Sequence, residues 1–175
     1  QIEHGSKQFF EITPITYPVH TAIARASSIA KQKGVDINLT EDEDLYLLGD
    51  HIQITSAIYN LLDNAIKYTE EGTGKIDITI QAKENNIEVM ISDNGIGIPE
   101  SSHNRVFERF YRVDPSRSRE SGGTGLGLAI VRHVVLNHDG KISLDSKEGQ
   151  GTSFTISLPQ QKQDQIETNP TEVKV

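Results

Sequence analysis

Asn60-Leu61-Leu62-Asp63-Asn64-Ala65-Ile66-Lys67-Tyr68 sets two amides and an ammonium on one flank of a helix while apolar side chains fill another. At about 100° per residue, Asn60, Asn64 and Lys67 share a narrow arc, and Ile54, Ile58, Leu61, Leu62 and Ala65 form a separate oily stripe. One side of this helix packs and the other is free to bind. Asparagine is a poor interior helix residue because its short amide competes for backbone hydrogen bonds, so two of them one turn apart need a reason. Two solvated amides on an exposed face are the plain alternative, and the segments downstream weigh against it.

Working outward, Asp50 is placed to cap the start of this helix, which runs to Tyr68. Upstream, Gln8 to Thr13 reads as a strand ended by Pro14, and Tyr17 to Lys33 has helical spacing stopped by Gly34. Val35 to Leu39 and Leu45 to Leu48 are strands around the acidic turn Glu41-Asp42-Glu43-Asp44. Downstream, Lys75 to Gln81 and Ile87 to Ser92 alternate at period two and predict a hairpin with one buried face. A helical patch is expected around Ser101 to Phe110 within the long Gly-, Ser- and Arg-rich connector 93–125, a length typical of lids and binding loops. Leu126 to Asn137 returns to helix, with Leu126, Ile130, Val131 and Val134 inward, and Lys141 to Ser146 and Thr152 to Leu158 are the last strands. The expected fold is α/β: a two-layer sandwich whose mixed, largely antiparallel sheet is covered on one face by helices. The polar, Gln-rich stretch 160–175 lacks an apolar period and is expected to be disordered.

With 175 residues the length prior favours one domain with a proper core. Cysteine is absent, which excludes disulfides, thiol catalysis and thiolate metal sites. No apolar run approaches the roughly 18 residues of a membrane span, so no membrane contact is expected of this chain. A net charge of −8 argues against nucleic acid as the main partner. Basic charge is nonetheless concentrated locally, at Arg105, Arg109, Arg112, Arg117 and Arg119 against Glu108 and Asp114, which suits a small anionic ligand.

Asp93-Asn94-Gly95-Ile96-Gly97-Ile98-Pro99 leaves directly from a strand end, where a carboxylate can be held beside a backbone free of bulk. An ionised Asp only accepts hydrogen bonds, so it suits an exocyclic amine such as adenine N6; Gly95 and Gly97 let the chain turn against a flat ring. Gly122-Gly123-Thr124-Gly125-Leu126-Gly127 then opens a helix, and a Gly-rich junction with exposed N–H groups is an anion site. No Gly-x-x-x-x-Gly-Lys-Ser/Thr run occurs, and the dinucleotide fingerprint fails because no strand precedes these glycines and Ile130 stands where its third small residue belongs.

In order, Asn60 to Tyr68, Asp93 to Pro99, Phe107 to Arg112, Gly123 to Gly127 and Gly149-Gln150-Gly151-Thr152 resemble the N, G1, F, G2 and G3 boxes of the catalytic ATP-binding domain of bacterial sensor histidine kinases. Five boxes in order are far more specific than any one of them. The resemblance implies a Bergerat-type sandwich over 8–159, preceded in 1–7 by the remnant of a dimerisation helix and linker, with ATP under a lid from about Arg112 to Thr124. It further implies that Asn64 holds Mg²⁺, assisted by Asn60, that Lys67 contacts phosphate, that Tyr68 lines the base and ribose, and that Asp93 takes the adenine amine. Gly95, Gly97, Ile98, Gly123, Thr124, Gly125, Leu126, Gly127 and Thr152 complete the implied nucleotide set. Arg112 and Arg109 are the candidates to offset charge on the γ-phosphoryl group. Phe107 and Phe110 are expected to pack the base of the lid.

Related ATPases, including gyrase, MutL and Hsp90-type chaperones, carry a water-activating Glu four residues before the magnesium Asn. Here that position is Asn60, which cannot act as a general base. Asp63, about 100° around the helix from Asn64, is expected to point away from the γ-phosphate. The family's phosphoacceptor motif matches none of the six histidines. The resemblance therefore implies phosphoryl transfer to a histidine on a separate dimerisation/phosphoacceptor domain, then to the receiver domain of a response regulator. It implies a cytoplasmic domain, monomeric alone, of a homodimeric membrane sensor. A self-sufficient ATPase, an anti-sigma-type serine kinase and a degenerate interaction module stay open as rivals.

Overall fold

The two period-two stretches pair as their alternation requires. In the computed structural model, which describes residues 7–113 and 125–162, β4 (Lys75–Lys83) and β5 (Asn86–Asp93) form an antiparallel hairpin running from Lys83 opposite Asn86 to Ile76 opposite Asp93. Ile76, Ile78 and Ile80 on one strand and Ile87, Val89 and Ile91 on the other are all buried, so one face of the hairpin is core. β7 (Gly151–Pro159) adds to β5 and β6 (Lys141–Lys147) to β7, both antiparallel, while β2 (Asp36–Glu41) joins β4 in parallel. The sheet order is β2-β4-β5-β7-β6. β1 (Glu11–Pro14) and β3 (Tyr46–Gly49) make a separate two-stranded sheet.

Among the described residues, three helices cover the buried face: α1 (Thr16–Lys33), α2 (His51–Tyr68) and α3 (Gly127–Asn137), with α2 in the middle of the layer against both others. Ile54, Ile58, Leu61 and Leu62 of α2 are at most 2% exposed and belong to one continuous core. Burying each stabilises the fold by roughly 1.5–3 kcal/mol, which fixes the rotation of α2 and hence the direction of its polar flank. The expected two-layer sandwich is the one observed.

Several local expectations shift. β1 is later and shorter than Gln8 to Thr13, and Pro14 is its last residue; paired with β3 alone, this strand end tolerates a missing N–H. Ser101 to Phe110 is not an α-helix: one 3₁₀ turn at Glu100–Ser102 gives way to irregular turns, and Phe110 has a positive φ of 64°. In α3 the inward residues are Val131, Val134 and Val135; Ile130 is 41% exposed because the contacting arc lies one residue further round, and Leu126 precedes the helix. Gln160 and Gln161 donate backbone N–H bonds to the carbonyls of Asn85 and Tyr46. The remainder expected to be disordered, 163–175, and residues 1–6 of the expected linker remnant lie outside the described residues.

Candidate functional site

The flank of α2 that does not pack borders a cavity of about 470 Å³ lined by Asn60, Asn64, Lys67 and Tyr68. Asp50 fixes the start of the helix, its Oδ1 accepting the N–H groups of Ile52 (2.9 Å) and Gln53 (3.4 Å). The Asn60 Nδ2 donates to the Ser56 carbonyl at 2.8 Å, which leaves the amide oxygen to face the first residue of α3. A Cβ placed on Gly127 would lie 3.1 Å from that oxygen, so glycine keeps the space beside it open. The Asn64 side chain has no hydrogen-bond partner among the described residues. Lys67 pairs with Asp63 at 2.9 Å. Asp63, expected to turn away, lines the same cavity: a helical-wheel angle describes the backbone, and this carboxylate reaches one turn along to the lysine.

At the other end, Asp93 closes β5. Its Oδ1 accepts the Gly95 N–H at 2.9 Å, and the Thr152 backbone N–H also donates to the carboxylate. Burial pushes its pKa above the ordinary carboxylate value, and these two bonds pull it part of the way back. Gly97, with φ of 73°, and Ile98 line the cavity, and the Lys147 carbonyl occupies the place a Cβ on Gly97 would need. Gly95 serves differently from expectation: it does not line the cavity but lies against the Tyr68 carbonyl, which accepts the Ile96 N–H at 3.1 Å. The turn after Asp93 is thereby stitched to the end of α2.

On the third side, Gly125, Gly127, Arg112 and Thr152 line the cavity. α3 starts beside it with no side-chain cap, Leu126 preceding its first turn. Arg109 is exposed and outside the lining; the irregular turns that replace the expected helix send it elsewhere. Gly123 and Thr124, with most of the expected lid, lie outside the described residues. Phe107 packs edge-on against Phe154 of the core, whereas Phe110, expected to pack as well, is 71% exposed.

Sequence reasoning missed Tyr111, Val106, Leu128 and Glu148, which also line the cavity. Tyr111 carried a signal, since it sits inside the Phe107 to Arg112 box; its hydroxyl lies 2.8 Å from that of Ser102 and the Arg105 guanidinium covers its ring at 4.6 Å. Glu148 adjoins the Gly149 to Thr152 box, and only the fold of the β6–β7 turn brings it in.

Residues 49–162 match the family described as histidine kinase-, DNA gyrase B- and HSP90-like ATPase, a segment containing every one of these lining residues. The chain belongs to this ATPase family. It is 44% identical over 142 residues to the sensor-like histidine kinase SenX3 of Mycolicibacterium smegmatis, an alignment covering 81% of this chain and 37% of that relative. The chain thus spans little more than a third of the relative's length. Among solved structures, the mycobacterial sensor histidine kinase MprB superposes with a TM-score of 0.74 at 31% identity, covering 87% of this chain and 98% of the other. Full-length ShkA in complex with AMPPNP gives 0.75 at 25% identity, covering 86% of this chain and 31% of the other. The protein is therefore an ATP-binding catalytic domain of the sensor histidine kinase type. Within that ATPase domain, the cavity lies between α2, the Asp93 turn and α3.

Proposed function

We propose that this domain binds ATP with Mg²⁺ and transfers the γ-phosphoryl group to a histidine on a separate dimerisation/phosphoacceptor domain, from which it passes to the receiver domain of a response regulator. The observation that carries the reading is the meeting, in one cavity, of the amide flank of α2 with the half-buried carboxylate of Asp93. Its donor set fits a hard cation: the Asn64 amide, unpartnered among the described residues, and the Asn60 oxygen, freed by the bond to Ser56, are neutral oxygens that would hold magnesium alongside phosphate. Bound there, the ion would neutralise phosphate charge. The ShkA neighbour solved with AMPPNP supports a nucleotide in this fold.

Lys67, whose ammonium has three donors, meets phosphate while keeping its pair with Asp63, Arg112 offsets charge from the lid side, and the start of α3 at Gly127 receives phosphate oxygens. Tyr68, Gly97 and Ile98 wall the base, and Asp93 accepts from the adenine amine. Asn60 holds the position from which a carboxylate would activate water, so the site favours transfer over hydrolysis. Asp63 does not replace it, because its carboxylate is engaged by Lys67. The parent protein is read as a homodimeric membrane sensor with this domain on its cytoplasmic side.

The test is to mix the domain with ATP·Mg and a phosphoacceptor domain of this kinase type. Acid-labile, base-stable phosphate on the acceptor is the expected result. Steady phosphate release by the domain alone would point to a self-sufficient ATPase, and acid-stable phosphoserine on a target protein to a serine kinase.

A further inference from the structure

Asp93, Thr152 and Ser146 stand in one cross-strand row: Thr152 of β7 is opposite Asp93 of β5 on one side and opposite Ser146 of β6 on the other. Directly opposite residues send their side chains to the same face, here the face of the cavity that Asp93 and Thr152 line. The Ser146 hydroxyl has three neighbours within hydrogen-bond distance: the Ile98 N–H at 2.8 Å, the Gly151 carbonyl at 2.9 Å and the Thr152 Oγ1 at 2.9 Å.

A hydroxyl has one proton and two acceptor positions. The Ile98 N–H can only donate, so it takes one lone pair of Ser146. The Gly151 carbonyl can only accept, so it takes the Ser146 proton. One lone pair remains, and Thr152 can satisfy it only by donating its own hydroxyl proton. The Thr152 proton is therefore turned toward β6, and in the cavity that Thr152 lines its hydroxyl oxygen can act only as an acceptor.

We propose that Ser146 is a positioning residue for base selection: by taking the Thr152 proton it makes Thr152 and Asp93 an acceptor-only pair that selects a purine with a 6-amino group over one with a 6-oxo group. The inference rests on the reading of the cavity as the nucleotide site. Ser146 does not touch the base; it acts through Thr152 and, by holding the Ile98 N–H, through the turn that walls the base. A 6-amino group presents two N–H donors to such a floor. A 6-oxo group meets acceptors with an acceptor and leaves them unpaired, which is where hydrogen-bonding sites discriminate most strongly.

ATP and ITP, which differ at this position of the purine, separate the role from simple support. Calorimetric titration of each, with magnesium, into the whole chain should show preference for ATP. In Ser146→Ala the Thr152 hydroxyl is free to rotate and donate, and the preference should fall by about tenfold. Thr152→Val should also lower it, and adding Ser146→Ala to Thr152→Val should change it no further, since no hydroxyl is left to orient. Ser146→Thr, which keeps the hydroxyl, should keep the preference. Should Ser146→Ala not fold, Ser146→Cys, with a weaker donor and acceptor, carries the same comparison with a smaller fall.

Equal weakening of both nucleotides by Ser146→Ala, with the ratio intact, would show that the serine only braces the turn and would overturn the proposal. So would a Ser146→Ala effect that persists in the Thr152→Val background. Absence of magnesium-dependent ATP uptake by the unaltered chain overturns the nucleotide reading itself, a result distinct from ATP binding with an unaltered ratio.

Discussion

Asp93 is held where ionisation is less comfortable than in water, half-buried at a strand end with a raised pKa, yet its site is built from donors that want a negative acceptor. Asp93→Asn presents an amide donor where the carboxylate accepted, so the ATP-over-GTP preference should fall roughly ten- to a hundredfold, the range for a hydrogen bond to a charged group. Competition binding of the two nucleotides measures it, and an unchanged ratio would remove Asp93 from base recognition. The same residue marks stability without ligand. A carboxyl whose folded pKa exceeds its ordinary value of 3.8 binds its proton more tightly in the native state. Its effect on stability is therefore constant below 3.8, turns unfavourable as pH rises from there through the raised pKa, and is constant again above it. The melting temperature of Asp93→Asn minus that of the unaltered chain should accordingly grow more positive from about pH 4 to about pH 7. A difference independent of pH would mean that burial does not strain this carboxyl.

At the scale of elements, α2 is anchored at both ends, and the two anchors differ in how far the sequence displays them. Asp50 caps N–H groups two and three residues away, so its bond is written within a single turn and was readable as a cap. At the other end Lys33, from the last turn of α1, donates to the carbonyls of Ile66 at 2.6 Å and Lys67 at 2.9 Å, across more than thirty residues of chain. No local pattern announces that contact, because it exists only once α1 and α2 are packed side by side. The same contrast runs through the site. Period-two alternation and the boxes on α2, after β5 and before α3 were legible because each is confined to one element. The exposure of Ile130 and the cavity position of Glu148 depend on how elements meet, whereas the pair of Asp63 with Lys67 lies within α2 and a wheel angle alone hides it. Burial lowers the Lys33 pKa, with Glu71 nearby acting in the opposite direction, and its nitrogen donates to two carbonyls of the last turn, that of Ile66 shared with the Thr69 hydroxyl. Lys33→Met, which keeps the stem and removes the donor, should cost about 1–2 kcal/mol in urea unfolding. It should also weaken ATP more than adenosine, since the last turn it steadies carries Lys67 at the phosphate end. Equal loss for both ligands would confine Lys33 to holding the fold.

For the whole molecule, the joint that closes the structure is His138, at the end of α3. Its Nε2 accepts the Asp50 N–H at 3.0 Å, its Nδ1 donates to the Val134 carbonyl at 2.8 Å, and its ring stacks on Phe10 at 4.5 Å. Beside it Lys7 pairs with Asp139 at 3.3 Å. One buried imidazole thus joins the segment entering β1, the start of the site-bearing helix α2 and the end of α3. Accepting from Asp50 requires the neutral ring. Desolvation accordingly lowers its pKa, opposed by the Val134 carbonyl and by Asp50 and Asp139, and reinforced by Lys7. The native state then resists a proton that the unfolded chain takes up near 6.5. Stability from this joint is present above that pH and is lost as pH falls from about 6.5 toward the lowered native value. His138→Phe retains an aromatic ring against Phe10 but leaves the Asp50 N–H and the Val134 carbonyl without their partner. It should lower stability by about 2–3 kcal/mol at neutral pH, and thermal melts should show the gap to the unaltered chain narrowing between about pH 7.5 and about pH 5.5. A gap of constant size across that range would show that the ring is protonated as readily in the fold as outside it, and the three segments would then be joined by packing alone.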